Sequence, residues 1–292
     1  MLVPVLIASL ILAAVFLIAL RSAYDVRVMR DTLTSPLVPP AFDGTRIVFV
    51  ADVHAGRFLG SSRVSSLVEL VQSEGPSLII LGGDYVGGRT NGARHFYPEV
   101  SRLDAPLGVV AVLGNHDSWE GDHDERHELA AAGITVLENE AMRIASGDAG
   151  SPALVVAGLA DEWTGTPDVD AVKDSVGTKD YGILVAHNPD SLGPALHDDS
   201  LWSLALAGHT HGGQFRGIYE LLPHKPMNAD SRYLSGWTHE AGTEVLVSNG
   251  VGVVTLPLRM FAPAQIHVIT LRHDPAGEVA SGSGYPSVLA VR

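Results

Sequence analysis

Residues 46–54 read Arg-Ile-Val-Phe-Val-Ala-Asp-Val-His and contain the pattern that decides the fold prediction. A short apolar run ends directly in two polar side chains, Asp52 and His54. A run of this length, bounded by turn residues and without a polar and apolar alternation, is typical of a strand covered on both faces. The pattern recurs in further apolar runs at residues 78–81, 109–113, 154–157, 183–186 and 204–207. The sequence therefore predicts buried strands that end in polar residues.

Helical patterns lie between several of these strands. Residues 63–73 and 124–132 have helical spacing of their apolar side chains, and Gly133 ends the second pattern. Alternating strands and helices favour an α/β fold with a largely parallel sheet. Two later apolar segments, residues 244–247 and 265–271, predict strands that complete a second sheet. In open parallel sheets, ligands bind beyond the carboxyl ends of the strands, which is where the polar residues fall.

The bulk composition excludes several classes of function. The chain has 292 residues, a formal net charge of −14 and no cysteine. The negative charge repels nucleic-acid backbones, so we expect no nucleic-acid partner. Without cysteine there is no disulfide, thiolate metal site or cysteine nucleophile, and any metal must be held by His, Asp, Glu or Asn. Hydrophobic residues make up 46% and charged residues 18% of the chain, which predicts one globular domain with a buried core.

The N-terminal segment, residues 1–20, is uncharged and apolar throughout. About 20 such residues cross the hydrocarbon core of a membrane. A cleavable signal sequence is the alternative, but no Lys or Arg precedes the run and Arg21 interrupts its end. We therefore predict an uncleaved, single-pass anchor in the cell membrane, over residues 1–21. Arg21, Arg27 and Arg30 follow the span, and the positive-inside rule then predicts that the C-terminal domain lies on the cytoplasmic side.

The remaining boundaries follow from composition. Residues 22–45 are polar and then proline-rich, with Pro36, Pro39 and Pro40, which predicts an extended linker. The strand and helix patterns then define one domain over residues 46–273. The last stretch, residues 274–292, is rich in Gly, Ser and Pro, and this composition predicts a flexible tail.

Polar clusters with the chemistry of metal ligands follow the apolar runs. In chain order they are Asp52-Val-His54, Gly83-Asp84, Gly114-Asn115-His116-Asp117, His187 and Gly208-His209-Thr210-His211. A divalent metal in a hydrolytic site prefers carboxylate, imidazole and amide ligands. Residues two apart in a strand point the same way, so we expect Asp52 and His54 to face one metal, and we expect His209 and His211 to reach the same site from one turn. Singly, each cluster is typical of a helix cap or a turn; jointly they indicate a metal site.

In this order the clusters resemble the motifs of the calcineurin-like metallophosphoesterases, over residues 46–214. Every motif position is intact. The chain also looks similar to bacterial membrane-associated phosphodiesterases of that superfamily in residues 81–85, 157–161, 208–214 and 256–259. The resemblance implies an α/β fold in which a two-sheet β-sandwich is flanked by helices.

The resemblance also implies a role for each site residue. It implies two divalent metal ions, one held by Asp52, His54, Asp84 and His211 and the other by Asp84, Asn115, His187 and His209. His116 would sit over the phosphate without holding metal, and Asp117 would orient its ring. Manganese, iron and zinc all suit such ligands.

Physical reasoning from the residues agrees with this assignment. Two divalent cations about 3.5–4 Å apart can share a water, lower its pKa and generate a metal-bridging hydroxide in line with phosphorus. His116 could then protonate the leaving oxygen. Arg57, three residues beyond His54, could bind a phosphate of the substrate, although an ordinary surface arginine is an equal alternative.

The expected activity is hydrolysis of a phosphodiester or pyrophosphate bond in a phosphoester substrate. Among enzymes, the alternative is a phosphomonoesterase or protein phosphatase. Outside enzymes, the alternative is a non-catalytic metal-binding scaffold, which would have no need of His116 as a proton donor. The anchor favours a lipid-linked substrate, because tethering raises the local concentration of substrates in the same membrane.

Overall fold

The computed structural model describes residues 2–87, 92–119, 124–148, 150–197, 201–216 and 231–276, so most of the predicted tail at residues 274–292 lies outside it. The helices in these ranges are α1 (Leu2–Tyr24), α2 (Ser61–Ser73), α3 (Gly92–Val100), α4 (Asn115–Trp119), α5 (Glu125–Ala131) and α6 (Asp170–Lys173). The strands are β1 (Arg27–Ser35), β2 (Arg46–Val50), β3 (Ala55–Gly56), β4 (Leu78–Leu81), β5 (Val86–Gly87), β6 (Val109–Ala111), β7 (Thr135–Val136), β8 (Glu140–Ala145), β9 (Ala153–Gly158), β10 (Tyr181–Val185), β11 (Trp202–Ala207), β12 (Gly236–Glu240), β13 (Thr243–Val247) and β14 (Gln265–His273).

Two six-stranded sheets form the body of the domain. The first has the order β1-β14-β2-β4-β6-β7, in which β2, β4, β6 and β7 run parallel. The second has the order β12-β13-β11-β10-β9-β8, in which β13, β11, β10 and β9 run parallel. The antiparallel pairs involve β14 with β2, β12 with β13 and β8 with β9. The prediction of an α/β fold with largely parallel strands is confirmed.

The two sheets pack face to face around a shared apolar core. Phe49 and Ile80 of the first sheet meet Ile183 and Leu206 of the second in one buried cluster. Their neighbours along each strand point the opposite way, and on the first sheet these residues pack against α2 and α3. The outer face of the second sheet is covered by a further cluster that includes α6. Both faces of the central strands are therefore buried, which explains why their sequences lack alternation.

Residues 22–45 are not the extended linker that their composition predicts. Within them, β1 pairs in parallel with β14 over nine residues, from Arg27 opposite Gln265 to Ser35 opposite His273. β1 lies at the edge of the sheet, where charged side chains face solvent and disfavour edge-to-edge association. Because those charges gave the segment a polar composition, it resembled a linker. The folded domain begins before Arg46.

The segment 265–271 forms a strand as predicted, but this strand belongs to the first sheet and not to the second. β14 lies between β1 and β2, parallel to the former and antiparallel to the latter. An apolar pattern predicts that a segment is a strand, but it does not specify which distant strand will pair with it. The prediction for residues 244–247 is confirmed, since β13 lies in the second sheet.

α1 is long and apolar enough to cross a membrane, over Val3–Tyr24. The side chains of residues 3–18 are exposed, whereas Ala19 and Ala23 are buried against the domain. The backbone N–H of Arg259 donates to the carbonyl oxygen of Ala19 at 2.9 Å. Only two residues separate α1 from β1, so the domain lies directly at the end of this helix.

Candidate metal centre

Four of the predicted ligands follow strands of the first sheet. Asp52 and His54 come directly after β2, Asp84 comes after β4, and Asn115 is the first residue of α4 after β6. Because β2, β4 and β6 are parallel neighbours, their carboxyl ends lie at the same edge of the sheet. This topology brings the four side chains together, and all four residues are at most 4% exposed.

The other three predicted ligands follow strands of the second sheet. His187 comes after β10, and His209 and His211 come after β11. β10 and β11 are parallel neighbours, so their carboxyl ends also lie together. All three histidines are buried. Strand ends from both sheets thus meet in one polar cluster inside the protein.

The backbone of this cluster is locally strained. Five of the seven predicted ligands have a positive φ, namely Asp52 (53°), His54 (46°), Asp84 (55°), His209 (69°) and His211 (52°). Residues other than glycine rarely adopt this left-handed conformation, and such residues concentrate at functional sites. The prediction that Asp52 and His54 project like alternate residues of a strand is wrong, because the chain has already left β2. Both side chains nevertheless reach the same cluster.

Asp52, His54, Asp84 and His211 form the first ligand group. Each offers one ligand atom, and these atoms lie within 4.8 Å of one another. His54 Nε2 is 3.0 Å from His211 Nε2 and 3.4 Å from Asp84 Oδ2. Imidazole and carboxylate atoms that converge on one point are what a divalent cation requires.

Asp84, His187 and His209 form the second ligand group, again with ligand atoms within 4.8 Å of one another. His187 Nε2 is 3.2 Å from Asp84 Oδ2 and 3.2 Å from His209 Nδ1. The other ring nitrogen of His187, Nδ1, donates to the carbonyl oxygen of Gly82 at 2.8 Å, which fixes the orientation of the ring. Asp84 belongs to both groups, and its Oδ2 faces a histidine of each.

Two buried oxygen atoms of the cluster lack a hydrogen-bond partner among the described residues. They are Asp52 Oδ2 and Asn115 Oδ1. Buried polar atoms are normally satisfied, so both oxygens fit the role of ligands to a cation. Gly208 packs closely against Asp52, and only a glycine fits there, because a Cβ atom at this position would lie 2.6 Å from Asp52 Oδ2. The donor set of carboxylate, imidazole and amide oxygen therefore fits a divalent metal.

The two groups differ in their electrostatics. Burial lowers the pKa of His54 to about 3. Burial, together with the neighbouring His54 and Arg259, also holds the pKa of His211 well below its ordinary value. Burial alone would lower the pKa of His187, but attraction to Asp84 and a hydrogen bond with it raise this pKa. The first group therefore presents neutral imidazoles, whereas a cation in the second group would replace a proton on His187.

A profile of the calcineurin-like phosphoesterases matches residues 45–213, which is more than half of the chain. The chain belongs to this family. The matched region begins just before β2 and ends after His211, so it includes every strand end that carries a predicted ligand. The resemblance drawn from the motifs is confirmed.

The chain is also similar to three named proteins of bacteria and zebrafish. A Bacillus subtilis protein named "uncharacterized metallophosphoesterase YkuE" is 30% identical over 82% of this chain and 84% of its own length. An Escherichia coli protein named "phosphodiesterase YaeI" is 34% identical over 71% of this chain and 75% of its own. A Danio rerio protein named "transmembrane protein with metallophosphoesterase domain" is 24% identical over 91% of this chain and 62% of its own.

His116 and Asp117 of this phosphoesterase lie in α4, beside the cluster. The backbone N–H of His116 donates to Asp84 Oδ1 at 2.9 Å, and the His116 ring centroid is 4.8 Å from that of His54. The buried carboxylate of Asp117 accepts hydrogen bonds from the backbone N–H groups of Asp84, at 2.8 Å, and Tyr85, at 2.7 Å. These contacts indicate that Asp117 holds the Asp84 loop in place. That Asp117 also orients the ring of His116 stays a prediction.

Arg57 is an exposed side chain just beyond the ligand segment of His54. Its guanidinium carbon lies 5.2 Å from the ring centroid of Phe58. The contact that the structure gives Arg57 is thus with its neighbour along the chain. Its binding of a substrate phosphate stays a prediction.

Arg259 is a residue of the phosphoesterase site that had no role assigned from the sequence. It is fully buried, and its Nη2 lies 3.2 Å from Nδ1 of His211. The guanidinium also donates to the carbonyl oxygens of Gly252, at 3.1 Å from Nε, and Ala262, at 3.0 Å from Nη1. Burial lowers the pKa of Arg259 to about 10. A signal was present in the sequence, because Arg259 is the only charged residue in the apolar stretch 251–264.

Trp119 and Trp163 form an exposed aromatic pair at the opposite ligand group. They are 55% and 45% exposed, and their ring centroids are 5.7 Å apart in a stacked arrangement. The Trp163 ring meets the His209 ring edge-on at 4.6 Å, and the Trp119 ring lies 5.2 Å from the His116 ring. Exposed aromatic rings beside a few polar groups are typical of ligand sites. In the sequence, Trp119 follows the cluster of residues 114–117 and Trp163 follows Asp161 and Glu162 after β9, so each tryptophan stands close to the end of a strand.

Proposed function

We propose that this protein is a binuclear metal-dependent hydrolase that cleaves phosphodiester or pyrophosphate bonds. The observation that carries the proposal is the position of Asp84. Its Oδ2 lies 3.4 Å from His54 Nε2 on one side and 3.2 Å from His187 Nε2 on the other. A carboxylate that faces two separate groups of ligands suits a pair of cations, because a single ion would need only one of the groups.

Each ligand group would hold one divalent ion. In this proposal the first ion is held by Asp52, His54, Asp84 and His211, and the second by Asp84, Asn115, His187 and His209. When bound, two such ions activate water and neutralise the charge of the phosphate oxygens. This neutralisation also explains how a chain with a net charge of −14 would accept an anionic substrate. The ligand set suits manganese, iron or zinc.

His116 is the proposed proton donor to the leaving oxygen. Its backbone is fixed on Asp84 and its ring lies at the edge of the first ligand group, against His54. A side chain in this position can approach a phosphoester bound at the cluster without being needed as a ligand. A non-catalytic scaffold would gain nothing from such a group, so the position of His116 favours an enzyme.

The proposed substrate class combines a diester or pyrophosphate bond with a lipid. Similarity to a protein named phosphodiesterase supports a diester over a monoester. Exposed α1, and similarity to a protein named a transmembrane protein, support a membrane anchor and hence a lipid-linked substrate. Of the arginines that favour a cytoplasmic domain, Arg30 forms an ion pair with Glu74 at 2.6 Å and Arg21 forms one with Asp25 at 3.5 Å, so Arg27 carries this part of the proposal.

A substrate screen of the full-length protein tests the proposal. The protein would be loaded in turn with manganese, iron and zinc, and assayed with p-nitrophenyl phosphate, bis(p-nitrophenyl) phosphate, a nucleotide-sugar pyrophosphate and a pyrophosphate-linked lipid in vesicles. We expect diester or pyrophosphate hydrolysis to exceed monoester hydrolysis and to stop on chelation. Faster monoester hydrolysis would favour the phosphatase alternative. Two bound equivalents of metal without turnover would favour the scaffold.

A further inference from the structure

Three large apolar side chains are exposed on the segment of residues 252–262, beside the end of α1. Val254 is 45% exposed, Leu256 is 49% exposed and Phe261 is 74% exposed. Apolar side chains that are exposed together at one place on a surface indicate an interaction site. Val254, Leu256 and Phe261 therefore mark a surface that a binding partner could cover.

Two backbone hydrogen bonds join this part of the chain to α1. The N–H of Arg259 donates to the carbonyl oxygen of Ala19 at 2.9 Å, and the N–H of Ala264 donates to that of Ser22 at 3.1 Å. Ala19 is the first buried residue of the helix after the exposed residues 3–18. The segment of residues 252–262 therefore begins to cover α1 where its exposed apolar surface stops. The segment thus adjoins the exposed part of α1.

The segment is also fixed to the metal-ligand loop that follows β11. Gln214 Nε2 donates to the carbonyl oxygens of Leu256 at 2.9 Å and Leu258 at 3.0 Å, and its Oε1 accepts the N–H of Val254 at 3.4 Å. Phe261 has a φ of 60°, an unfavourable conformation for an aromatic residue. A strained, well-bonded segment that keeps apolar side chains in the open is more consistent with a binding surface than with a random loop.

We propose that Val254, Leu256 and Phe261 insert into the same phospholipid bilayer that α1 spans. The inference rests on the proposed membrane anchor and adds a second, monotopic contact to it. Side chains of this kind enter a membrane interface to a depth of about 5–10 Å. The apolar segment and the end of α1 then form one continuous lipid-facing surface.

The polar residues around the end of α1 fit a headgroup layer. Arg27 is exposed there, where it can meet anionic phosphates, and the exposed Arg21 pairs with Asp25 at 3.5 Å. Tyr24 ends the helix, and the guanidinium of Arg63 lies 3.9 Å from the centroid of its ring. Tyrosine at the end of a span, flanked by arginine, is typical of a membrane interface.

Arg259 links this lipid-facing surface to the metal centre. Its backbone is bonded to Ala19 of α1, and its guanidinium lies 3.2 Å from the ring of His211. The first ligand group is therefore one arginine side chain away from the end of the helix. An insertion of the apolar segment would hold the ligand cluster at the level of the lipid headgroups, within reach of phosphoesters in the membrane.

Single-cysteine labelling of the full-length protein tests the insertion directly, because the natural chain contains no cysteine. Leu256→Cys and Phe261→Cys variants would carry an environment-sensitive nitrobenzoxadiazole dye in phosphatidylcholine vesicles that contain phosphatidylglycerol and doxyl-labelled lipid. Leu10→Cys in α1 is the positive control. Leu201→Cys is the negative control, since Leu201 is 41% exposed but precedes β11, at the end of the sheet away from the ligands.

We expect the labels at Leu256 and Phe261 to show a blue-shifted emission and to be quenched by the doxyl lipid, as at Leu10, while the label at Leu201 is not quenched. Labels at Leu256 and Phe261 that behave like the label at Leu201 would overturn the proposal. An unquenched label at Leu10 would also overturn it, because the bilayer would then be absent from α1. Hydrolysis of bis(p-nitrophenyl) phosphate by the same preparations reports separately on the proposed function, since the labels require no turnover.

Discussion

The two halves of the ligand cluster share Asp84 but have different surroundings. In the first group, His211 packs against the fully buried Arg259, whose backbone N–H is bonded in turn to Ala19 of α1. In the second group, His209 packs against Trp163, which is 45% exposed and stacked on a second exposed tryptophan. The first group is thus connected to the protein interior and α1, whereas the second group lies beside the exposed surface.

This difference indicates that the two halves would serve different needs. A ligand whose neighbour is itself bonded to several backbone carbonyls is held rigidly, which favours tight and lasting metal binding. Ligands beside exposed aromatic rings can be approached from solvent, which favours exchange and contact with a substrate. We expect the first group to bind its metal more tightly than the second.

Removal of the shared carboxylate should have the largest effect, because Asp84 is the ligand common to both groups. In an Asp84→Ala variant we expect loss of metal from both groups and a fall of turnover to the background rate. Elemental analysis and hydrolysis of the preferred ester measure the two effects. Asp174→Ala, at an exposed aspartate after α6, is the control. Two equivalents of metal retained by Asp84→Ala would refute the bridging role.

Substitution of His116 should separate catalysis from metal binding. We expect His116→Asn to lower turnover by about 10² to 10⁴ while both metals remain, because His116 is proposed as a general acid and not as a ligand. An ester with a good leaving group should be affected less than one with a poor leaving group. His127→Asn, at an exposed position of α5, is the matched control. Unchanged hydrolysis of the poor substrate would show that His116 is not the acid.

A pair of histidine variants should distinguish the two halves. His211→Ala should remove metal from the first group and His209→Ala from the second, so each variant should keep about one equivalent. Because Trp163 lies against His209, its fluorescence should respond to metal binding in the His211→Ala protein and respond less in the His209→Ala protein. Loss of both metals in each variant would show that the halves bind as one unit.

The residues behind the ligands should have the smallest effects, and these should differ between the halves. Arg259→Lys loses the planar guanidinium that bonds several groups at once, and we expect a metal affinity about 10- to 100-fold weaker in the first group. Trp163→Phe keeps an aromatic ring at the second group and should leave metal affinity close to that of the natural protein. Isothermal titration with manganese compares them. Equal losses in the two variants would contradict the distinction between a rigid and an open half.

The sequence predicted the ligand cluster because its signal is local. Asp52 and His187 directly follow a buried apolar run, Asp84 follows one after two glycines, and the carboxyl ends of parallel strands are known to meet. Residue type and position along the strand were therefore enough to anticipate which side chains come together. The strained backbone at Asp52 and His54 did not change this outcome, because both residues remain at the end of the same strand.

The features that could not be predicted depend on partners that are distant in the sequence. β1 is a strand because β14 lies next to it, and Arg259 acts on His211 across 48 residues. The carboxylate of Asp117 likewise accepts from backbone groups of Asp84, Tyr85 and Val86, which lie 31 to 33 residues away. Composition and periodicity describe a segment by itself and contain no information about such pairings.

The pairing of β1 with β14 affects how the protein folds during its synthesis. β1 follows α1 closely, and its partner β14 is made only after about 230 further residues. Contacts between such distant segments form slowly, and an unpaired strand edge invites aggregation in the meantime. If α1 is the proposed anchor, it enters the membrane before the first sheet can close. Nascent chains that stop before Gln265 should therefore remain membrane-bound, protease-sensitive and dependent on chaperones.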